Sequence, residues 1–244
     1  SLPASATPFY EVRNLGTFGG GVSGFSAAIA ITDGGSVAGT SRYYVGDEDL
    51  GNRAFLYNAA DLSNLGTLGN EPNGYGQSEA RAVNNAGEVV GDSYNYIDGV
   101  RAGYRAFLYN GSEILNLGSF GVDTSGLGQS NAVDINNSGQ VAGHSALYED
   151  GNPKGWRAFR YDGAGLVSLG VLGTDPSGRG NSLASDINDV GQVVGYSSYY
   201  VGSQFKGNRA FLYDGNTLIN LGAFGKSPSG EAWSYAEAVN NSGQ

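Results

Sequence analysis

The chain of 244 residues contains no cysteine and no methionine. Without cysteine there is no disulfide scaffold, no thiolate metal site and no cysteine nucleophile. Basic residues are also few, since 13 Lys and Arg stand against 23 Asp and Glu, for a formal net charge of −10. This charge, with no basic run, argues against nucleic acid and anionic membranes as partners. No apolar run approaches the roughly 18 residues that a membrane span needs.

Glycine, in contrast, is abundant, with 42 residues in the chain. The glycines follow no collagen period, and hydrophobic residues make up 40% of the sequence, which is enough to build a core. We therefore expect a folded, acidic and β-rich protein. The lack of both sulfur-containing residues suits an oxidising exterior, where thiols and thioethers are liabilities.

The sequence repeats with a period of 52 residues. An Arg-Ala-Phe triplet recurs at this spacing, and its arginines are Arg53, Arg105, Arg157 and Arg209. A glycine that ends a Val-x-Gly segment recurs at the same spacing, at Gly39, Gly91, Gly143 and Gly195. Because independent landmarks share one period, each repeat is expected to be one structural unit.

Each repeat contains four short segments with the composition of β-strands, bounded by Gly, Asn, Asp or Ser. Asn/Asp-x-x-Gly turns join the first segment to the second, and Asp-Gly or a similar turn joins the third to the fourth, which predicts two hairpins. Longer connections are expected between them, such as residues 197–208. Four-stranded units of this length predict an all-β fold, a β-propeller with one blade per repeat, and a β-solenoid is the competing architecture.

Counting the segments predicts five blades, the last of them incomplete in this chain. The first and fourth segments occur five times, whereas the second and third occur four times. We expect residues 1–8 to be a leader and residues 9–244 to form a single propeller domain, with a fourth-type strand at 9–16 and a last first-type strand at 236–240. The ring is expected to be closed by further residues or by strands from a neighbouring chain.

The motifs resemble a known repeat. Ile-Asn-Asn-Ser-Gly-Gln-Val-Ala-Gly at 135–143, Arg-Ala-Phe at 157–159 and Leu-Val-Ser-Leu-Gly-Val-Leu-Gly at 166–173 are similar to the HAF repeat of bacterial extracellular proteins. That repeat is named for His-Ala-Phe, and here arginine replaces the histidine in all four copies. The resemblance covers residues 9–244 and implies an exported or cell-surface protein. It implies no catalytic residues, because the family has no common activity.

A tyrosine at one position of every repeat is the candidate ligand-binding feature. Aromatic faces stack on sugar rings, and tyrosine hydroxyls form hydrogen bonds with them. Alternatively, each ring fills the gap between adjacent blades. The recurring arginines are expected to tether carbonyl groups rather than to bind a ligand. The four predicted ligand-binding tyrosines are Tyr44, Tyr96, Tyr148 and Tyr200.

Positions that differ between repeats are better candidates for a unique site. One such position holds Thr40, Asp92, His144 and Tyr196, and the first strands contribute Glu79, Arg81, Asp134, Asp186 and Glu237. Paired carboxylates on an innermost strand could act as acid and base in sugar chemistry. A lone histidine cannot form a multi-histidine metal site. We predict no cofactor, although acidic loops such as 123–126 and 175–178 could hold Ca²⁺.

These observations favour an extracellular or cell-surface propeller without catalytic activity, which acts as a binding or structural module, with carbohydrate or another surface polymer as ligand. Two alternatives remain open. One is a self-assembling surface or filament protein, a homo-oligomer whose incomplete blade is filled by the next subunit. The other is a propeller glycoside hydrolase or lyase, which would have one asymmetric pocket lined by carboxylates.

Overall fold

The computed structural model describes residues 13–19, 24–58 and 61–244, in which sixteen β-strands and no helix occur. The predicted leader at 1–8 lies outside the described residues, as do residues 9–12 of the predicted first strand, and residues 13–16 form no strand. The strands are β1 (Ser26–Ile31), β2 (Val37–Val45), β3 (Glu48–Asn58), β4 (Asp61–Asn64), β5 (Ser78–Val83), β6 (Val89–Ile97), β7 (Val100–Tyr109), β8 (Ile114–Asn116), β9 (Gly128–Ile135), β10 (Val141–Glu149), β11 (Asn152–Tyr161), β12 (Leu166–Gly170), β13 (Ser182–Ile187), β14 (Val193–Val201), β15 (Gln204–Tyr213) and β16 (Leu218–Gly222).

Each repeat forms a four-stranded antiparallel sheet in chain order, as predicted for a blade. The first repeat gives β1-β2-β3-β4 and the fourth gives β13-β14-β15-β16. The second and third blades join into one eight-stranded sheet, because β7 pairs in parallel with β9 at Gly103–Gly128 and Tyr104–Gln129. The all-β propeller with four-stranded blades of 52 residues is thus confirmed.

The number of blades stays a prediction. Four blades are complete within the described residues, and residues 236–240, which begin the fifth repeat, form no assigned strand. This segment nevertheless lies beside the fourth blade, since the Ala236 N–H donates to the Gly195 carbonyl at 3.4 Å.

The predicted long connection at residues 197–208 is wrong. Strand β14 continues to Val201 and β15 begins at Gln204, so two residues form the turn. In the second blade the equivalent turn is Asp98-Gly99, and both residues have positive φ, 52° and 76°. Two consecutive positive φ values define the hairpin turn whose twist matches that of the flanking strands. The second and third strands of each blade are therefore long, and the tyrosines lie on strands rather than in a loop.

A buried phenylalanine on the third strand of each blade packs on the glycine that ends Val-x-Gly. Phe107, Phe159 and Phe211 are fully buried, and Phe55 is almost so. A Cβ on Gly143 would overlap both the Phe159 ring and the Asn131 carbonyl oxygen. Only glycine allows this approach, which explains why the two landmarks recur together.

The recurring arginines hold the blades together, as predicted. The Arg53 Nη1 donates to the carbonyls of Leu50 at 2.8 Å, Asn52 at 3.0 Å and Gly76 at 2.5 Å. Gly76 precedes the first strand of the next blade, so one guanidinium links two blades. The other three arginines make the equivalent contacts. Each donates to the carbonyl three residues earlier in its strand and to the carbonyl 23 residues later, in the next repeat. All four are buried, and burial lowers the pKa of Arg53, Arg105 and Arg157.

A buried serine, which also recurs every 52 residues, forms a second link between blades. The Ser130 Oγ accepts a hydrogen bond from the Ala106 N–H at 2.9 Å and donates one to the Gly118 carbonyl at 2.5 Å. It thereby satisfies two backbone groups of the preceding blade. Equivalent bonds are made by Ser78, Ser182 and Ser234.

Asparagines at the turn after each first strand form a ladder from blade to blade. The Asn84 Nδ2 donates to the Asn136 carbonyl at 3.1 Å, and Asn136 and Asn188 donate to the next turns at 2.9 Å. The turns of all five repeats converge around one polar opening of about 400 Å³. The first strand of each blade is therefore the innermost strand of the propeller.

Candidate functional site

The second blade carries a polar pocket built from positions that differ between repeats. Glu79 and Asp92 are cross-strand neighbours on β5 and β6, and Tyr94 and Tyr104 are neighbours on β6 and β7. Because side chains alternate along a strand, these four lie on the same face of the sheet. We call this site the blade-2 pocket. It measures about 270 Å³ and is lined by Gln77, Ser78, Glu79, Asp92, Tyr94, Arg101, Tyr104 and Asn131.

Asn131 belongs to the next blade and reaches the pocket through the parallel pairing of β7 with β9. The site is thus formed where two blades meet. The Tyr104 hydroxyl donates to Gln129 Oε1, also on β9, at 3.4 Å. Burial raises the pKa of the Tyr104 hydroxyl, and the Asp92 carboxylate raises it further.

Arg81 bridges the two carboxylates of the pocket. Its Nη2 lies 3.2 Å from Asp92 Oδ1 and 3.7 Å from Glu79 Oε2. Burial raises the pKa of the Asp92 carboxyl, while Arg81 and a hydrogen bond from Asn131 oppose this rise. Glu79, Arg81 and Asp92 stand at positions that differ between repeats, and the structure brings them together.

Arg101 and Tyr94 form a stacked pair in the pocket, which the sequence analysis missed. The guanidinium carbon of Arg101 lies 3.9 Å from the centre of the Tyr94 ring. The arginine is exposed, and within the described part of the chain its guanidinium forms no ion pair or hydrogen bond. Its charge is therefore available to a ligand.

The same face holds different residues on the other blades. On the third blade His144 packs edge-on against Trp156, with 5.4 Å between ring centres. Burial lowers the pKa of His144 to about 4, and the nearby Arg81 adds to the effect. On the fourth blade Tyr196 packs against Tyr235 at 4.9 Å. The side chains on this face thus change from blade to blade, while the arginine and serine links are constant.

The four predicted ligand-binding tyrosines lie at the junctions between blades. Each is half-buried on the second strand of its blade, and in each case a connecting glycine lies close to the tyrosine. For example, a Cβ on Gly121 would lie 3.0 Å from the Tyr148 carbonyl oxygen. These contacts involve the backbone and Cβ of the tyrosines, so they place the residues, but not their rings, against the connecting segments. Ligand binding by Tyr44, Tyr96, Tyr148 and Tyr200 stays a prediction, and Tyr200 also lines a shallow depression of about 230 Å³.

Two aspartates of the innermost strands meet, as the paired-carboxylate hypothesis required. Asp134 and Asp186 form a hydrogen bond with each other, and burial followed by this bond raises the pKa of Asp134 to about 7. Their oxygens also accept backbone N–H groups of the next blade, from Ile187 at 3.2 Å and Val239 at 2.6 Å. The pair therefore connects three blades.

The acidic loops proposed for Ca²⁺ use their carboxylates locally. Asp123 Oδ1 accepts hydrogen bonds from Ser125 and from the Leu127 N–H, and Asp175 does the same in the next repeat. These bonds lower the pKa of both carboxyls. In residues 13–19, 24–58 and 61–244 no three His, Cys, Asp or Glu side chains gather in a metal-binding group. The Ca²⁺ hypothesis stays a prediction for which the geometry gives no support.

No helix that could cross a membrane occurs among the described residues. Oligomerisation through an incomplete blade stays a prediction.

A structural comparison finds the β-propeller domain of the Trilobed protease from Pyrococcus furiosus, a domain with an open velcro topology. The TM-score is 0.50 and the sequences are 12% identical, so the likeness concerns the fold alone. The alignment covers 82% of this chain and 52% of that domain, so the chain spans about half of the solved structure. No curated protein matches the sequence significantly.

The expected membership of the HAF-repeat family is wrong, because a different family model matches. The sequence departs from the His-Ala-Phe motif of that family at Arg53 and its three equivalents, where arginine replaces the histidine. One guanidinium nitrogen there donates to three carbonyls, which an imidazole cannot do. The matching model covers residues 25–169 and 128–244, and the chain belongs to this family, which is described as a protein of unknown function (DUF3466).

Proposed function

We propose that the propeller is a binding module without catalytic activity and that the blade-2 pocket binds a carbohydrate. The observation that supports the proposal is the mixture of tyrosine with hydrogen-bonding groups in one pocket. Tyr104 offers an aromatic ring, and Glu79, Asp92 and Asn131 offer oxygen and nitrogen atoms for sugar hydroxyls. A volume of about 270 Å³ lies near the lower end for ligand pockets, which suits a single sugar ring of a longer chain.

A glycoside hydrolase or lyase is the second candidate, because Glu79 and Asp92 share one asymmetric pocket and burial raises the pKa of Asp92. Glycosidases use two carboxyl groups on opposite sides of the bond that they cleave. Here both carboxylates contact the same Arg81 guanidinium, so they are not arranged on opposite sides of a bond. We therefore favour binding over catalysis.

An extracellular or cell-surface location is part of the proposal. The absence of cysteine and methionine supports it, because neither thiols nor thioethers are exposed to oxidation. Detection of the native protein in culture supernatant or at the cell surface by antibody would agree with this location. Detection only in the cell interior would contradict it.

A glycan array followed by titration calorimetry tests the binding function. We expect Tyr104→Ala to weaken binding of the selected oligosaccharide at least about tenfold, which is about 1.4 kcal/mol. Tyr200→Ala is the matched variant, since it removes a tyrosine that the sequence predicted as a ligand contact. Circular dichroism checks that both variants fold.

The outcomes separate the hypotheses. Loss of binding with Tyr104→Ala alone supports the blade-2 pocket, whereas loss with Tyr200→Ala alone assigns the ligand to the tyrosine positions. Release of reducing ends or unsaturated sugars during incubation would establish the enzyme. Failure of the wild-type protein to bind any glycan would refute the proposed function.

A further inference from the structure

We infer that the ligand of the blade-2 pocket carries a carboxylate, as a hexuronic acid residue of a polysaccharide does, and that Arg101 binds this group. The inference rests on the proposed carbohydrate-binding function and narrows its substrate class. It depends on the difference between Arg101, which lines the pocket, and Arg81, which contacts the carboxylates of the pocket.

Arg81 is already neutralised, because it contacts both Glu79 and Asp92. Arg101 has no such partner in the described part of the chain, although it lies in the same pocket. A neutral sugar would gain little from an unpaired guanidinium. A carboxylate on the ligand supplies the partner that the chain itself does not provide.

The stacking on Tyr94 prepares Arg101 for this role. The guanidinium carbon lies over the Tyr94 ring, 3.9 Å from its centre, so the ring holds the guanidinium in place. A planar carboxylate fits the edge of a guanidinium with two parallel hydrogen bonds. Tyr94 therefore positions Arg101, and Tyr104 is the ring left to contact the sugar.

Among the four blades of the described residues, only the second has this arrangement. The residues equivalent to Arg101 are Asp49, Pro153 and Phe205. In the first blade Arg42 replaces Tyr94, and this arginine forms an ion pair with Asp49 at 2.9 Å. The first blade thus neutralises its arginine internally, whereas the second blade leaves Arg101 unpaired.

The net charge of −10 does not prevent binding of an acidic polymer. Repulsion between exposed charges is screened beyond about 8 Å at physiological ionic strength. The local charges therefore decide whether the ligand binds: Arg81 neutralises Glu79 and Asp92, and Arg101 faces the ligand. Binding is expected to weaken when the salt concentration is raised well above the physiological value, because the Arg101–carboxylate contact is partly exposed.

Calorimetric titration with a matched ligand pair tests the inference. The ligands are hexuronic acid oligosaccharides and the same oligosaccharides after their carboxyl groups have been reduced to alcohols. We expect the wild-type protein to bind the acidic form about 10- to 100-fold more tightly, the range for a hydrogen bond to a charged group. Arg101→Ala should bind both forms equally, and Arg101→Lys should retain part of the preference.

Arg179→Ala is the control, since Arg179 is an exposed arginine outside the pocket, and this variant should keep the preference. Equal binding of the two forms by the wild-type protein would overturn the carboxylate assignment but leave the carbohydrate function intact. A stronger preference for sulfated oligosaccharides would overturn it as well. If neither form and no other glycan binds, the proposed function itself fails.

Discussion

Replacing Asp134 with asparagine should make the protein more stable at pH 8 and leave its stability at pH 4 almost unchanged. Asp134 lies beside Asp186 on the innermost strands, and its Oδ2 accepts the Ile187 N–H at 3.2 Å. An asparagine has the shape of the protonated carboxyl. Its oxygen can accept the same N–H, and its amide can donate to Asp186.

The magnitude follows from the pKa of Asp134, which rises from 3.8 to about 7 in the folded protein. Below pH 3.8 the carboxyl is protonated in both the folded and the unfolded state, and the full stability is present. Between pH 3.8 and about 7 the unfolded state ionises first, so the free energy of unfolding falls as the pH rises. Three pKa units correspond to about 4 kcal/mol, an upper limit because Asp186 shares the proton.

His144 has the opposite effect over part of this range. Its pKa falls from 6.5 to about 4 on folding, so its contribution to stability is present above pH 6.5 and is lost as the pH falls towards 4. In the wild-type protein, the effects of Asp134 and His144 on the free energy of unfolding therefore oppose each other as the pH changes. The His144 effect is the same in the variant, so the difference in unfolding free energy between the two proteins reports Asp134 alone.

Urea denaturation followed by circular dichroism, at half-unit steps from pH 4 to pH 8, measures this difference. We expect the variant's advantage to grow between pH 4 and about pH 7 and to level off at about 2–4 kcal/mol by pH 8. Asp47→Asn, the same change in an exposed hairpin turn, should stay within about 0.5 kcal/mol of the wild-type protein at every pH. A difference for Asp134→Asn that is constant with pH, or that favours the wild-type protein at pH 8, would refute the reasoning.

Three further predictions concern the links between blades and the tyrosine positions. Ser130→Ala should lower the free energy of unfolding by about 2–4 kcal/mol in urea denaturation, because two buried backbone groups lose their partner; a change below about 0.5 kcal/mol would contradict this. Gly143→Ala should cost about 3 kcal/mol or more, whereas Gly34→Ala, at an exposed turn, should change stability by less than about 1 kcal/mol, and a thermal melt distinguishes them. Tyr96→Phe should leave the melting temperature unchanged or higher, because the Tyr96 hydroxyl is buried without a hydrogen-bond partner among the described residues; a clear loss of stability would reveal a contact of that hydroxyl.

The fold could be predicted from the sequence because each blade packs on a copy of itself. A residue that fits the contact once must recur at every junction, and Arg53, which donates to the Gly76 carbonyl of the next blade, is an example with its three equivalents. Between residues 197 and 208 the recurring residues include Tyr200 and Gly207, and glycine is typical of turns. The sequence therefore predicted a loop where the strands continue.

The candidate site could be predicted only in part. Glu79, Arg81 and Asp92 were singled out because they differ between repeats. Tyr104 was missed, although asparagine or tryptophan replaces it in the other repeats. The contribution of Asn131 was not predicted, since it depends on how the first strand of one blade packs against the preceding blade.

Adjacent residues of strand β9 show how one repeat can serve both stability and binding. Ser130 is fully buried and holds the preceding blade, whereas its neighbour Asn131 lines the blade-2 pocket. Successive side chains of a strand point to opposite faces, so position 131 can vary without disturbing the bonds of position 130. The equivalents of Asn131 are Ala27, Glu79, Leu183 and Tyr235, while serine is kept at each preceding structural position from Ser78 onwards. A propeller built in this way can acquire a ligand site on one blade at little cost to the packing of the others.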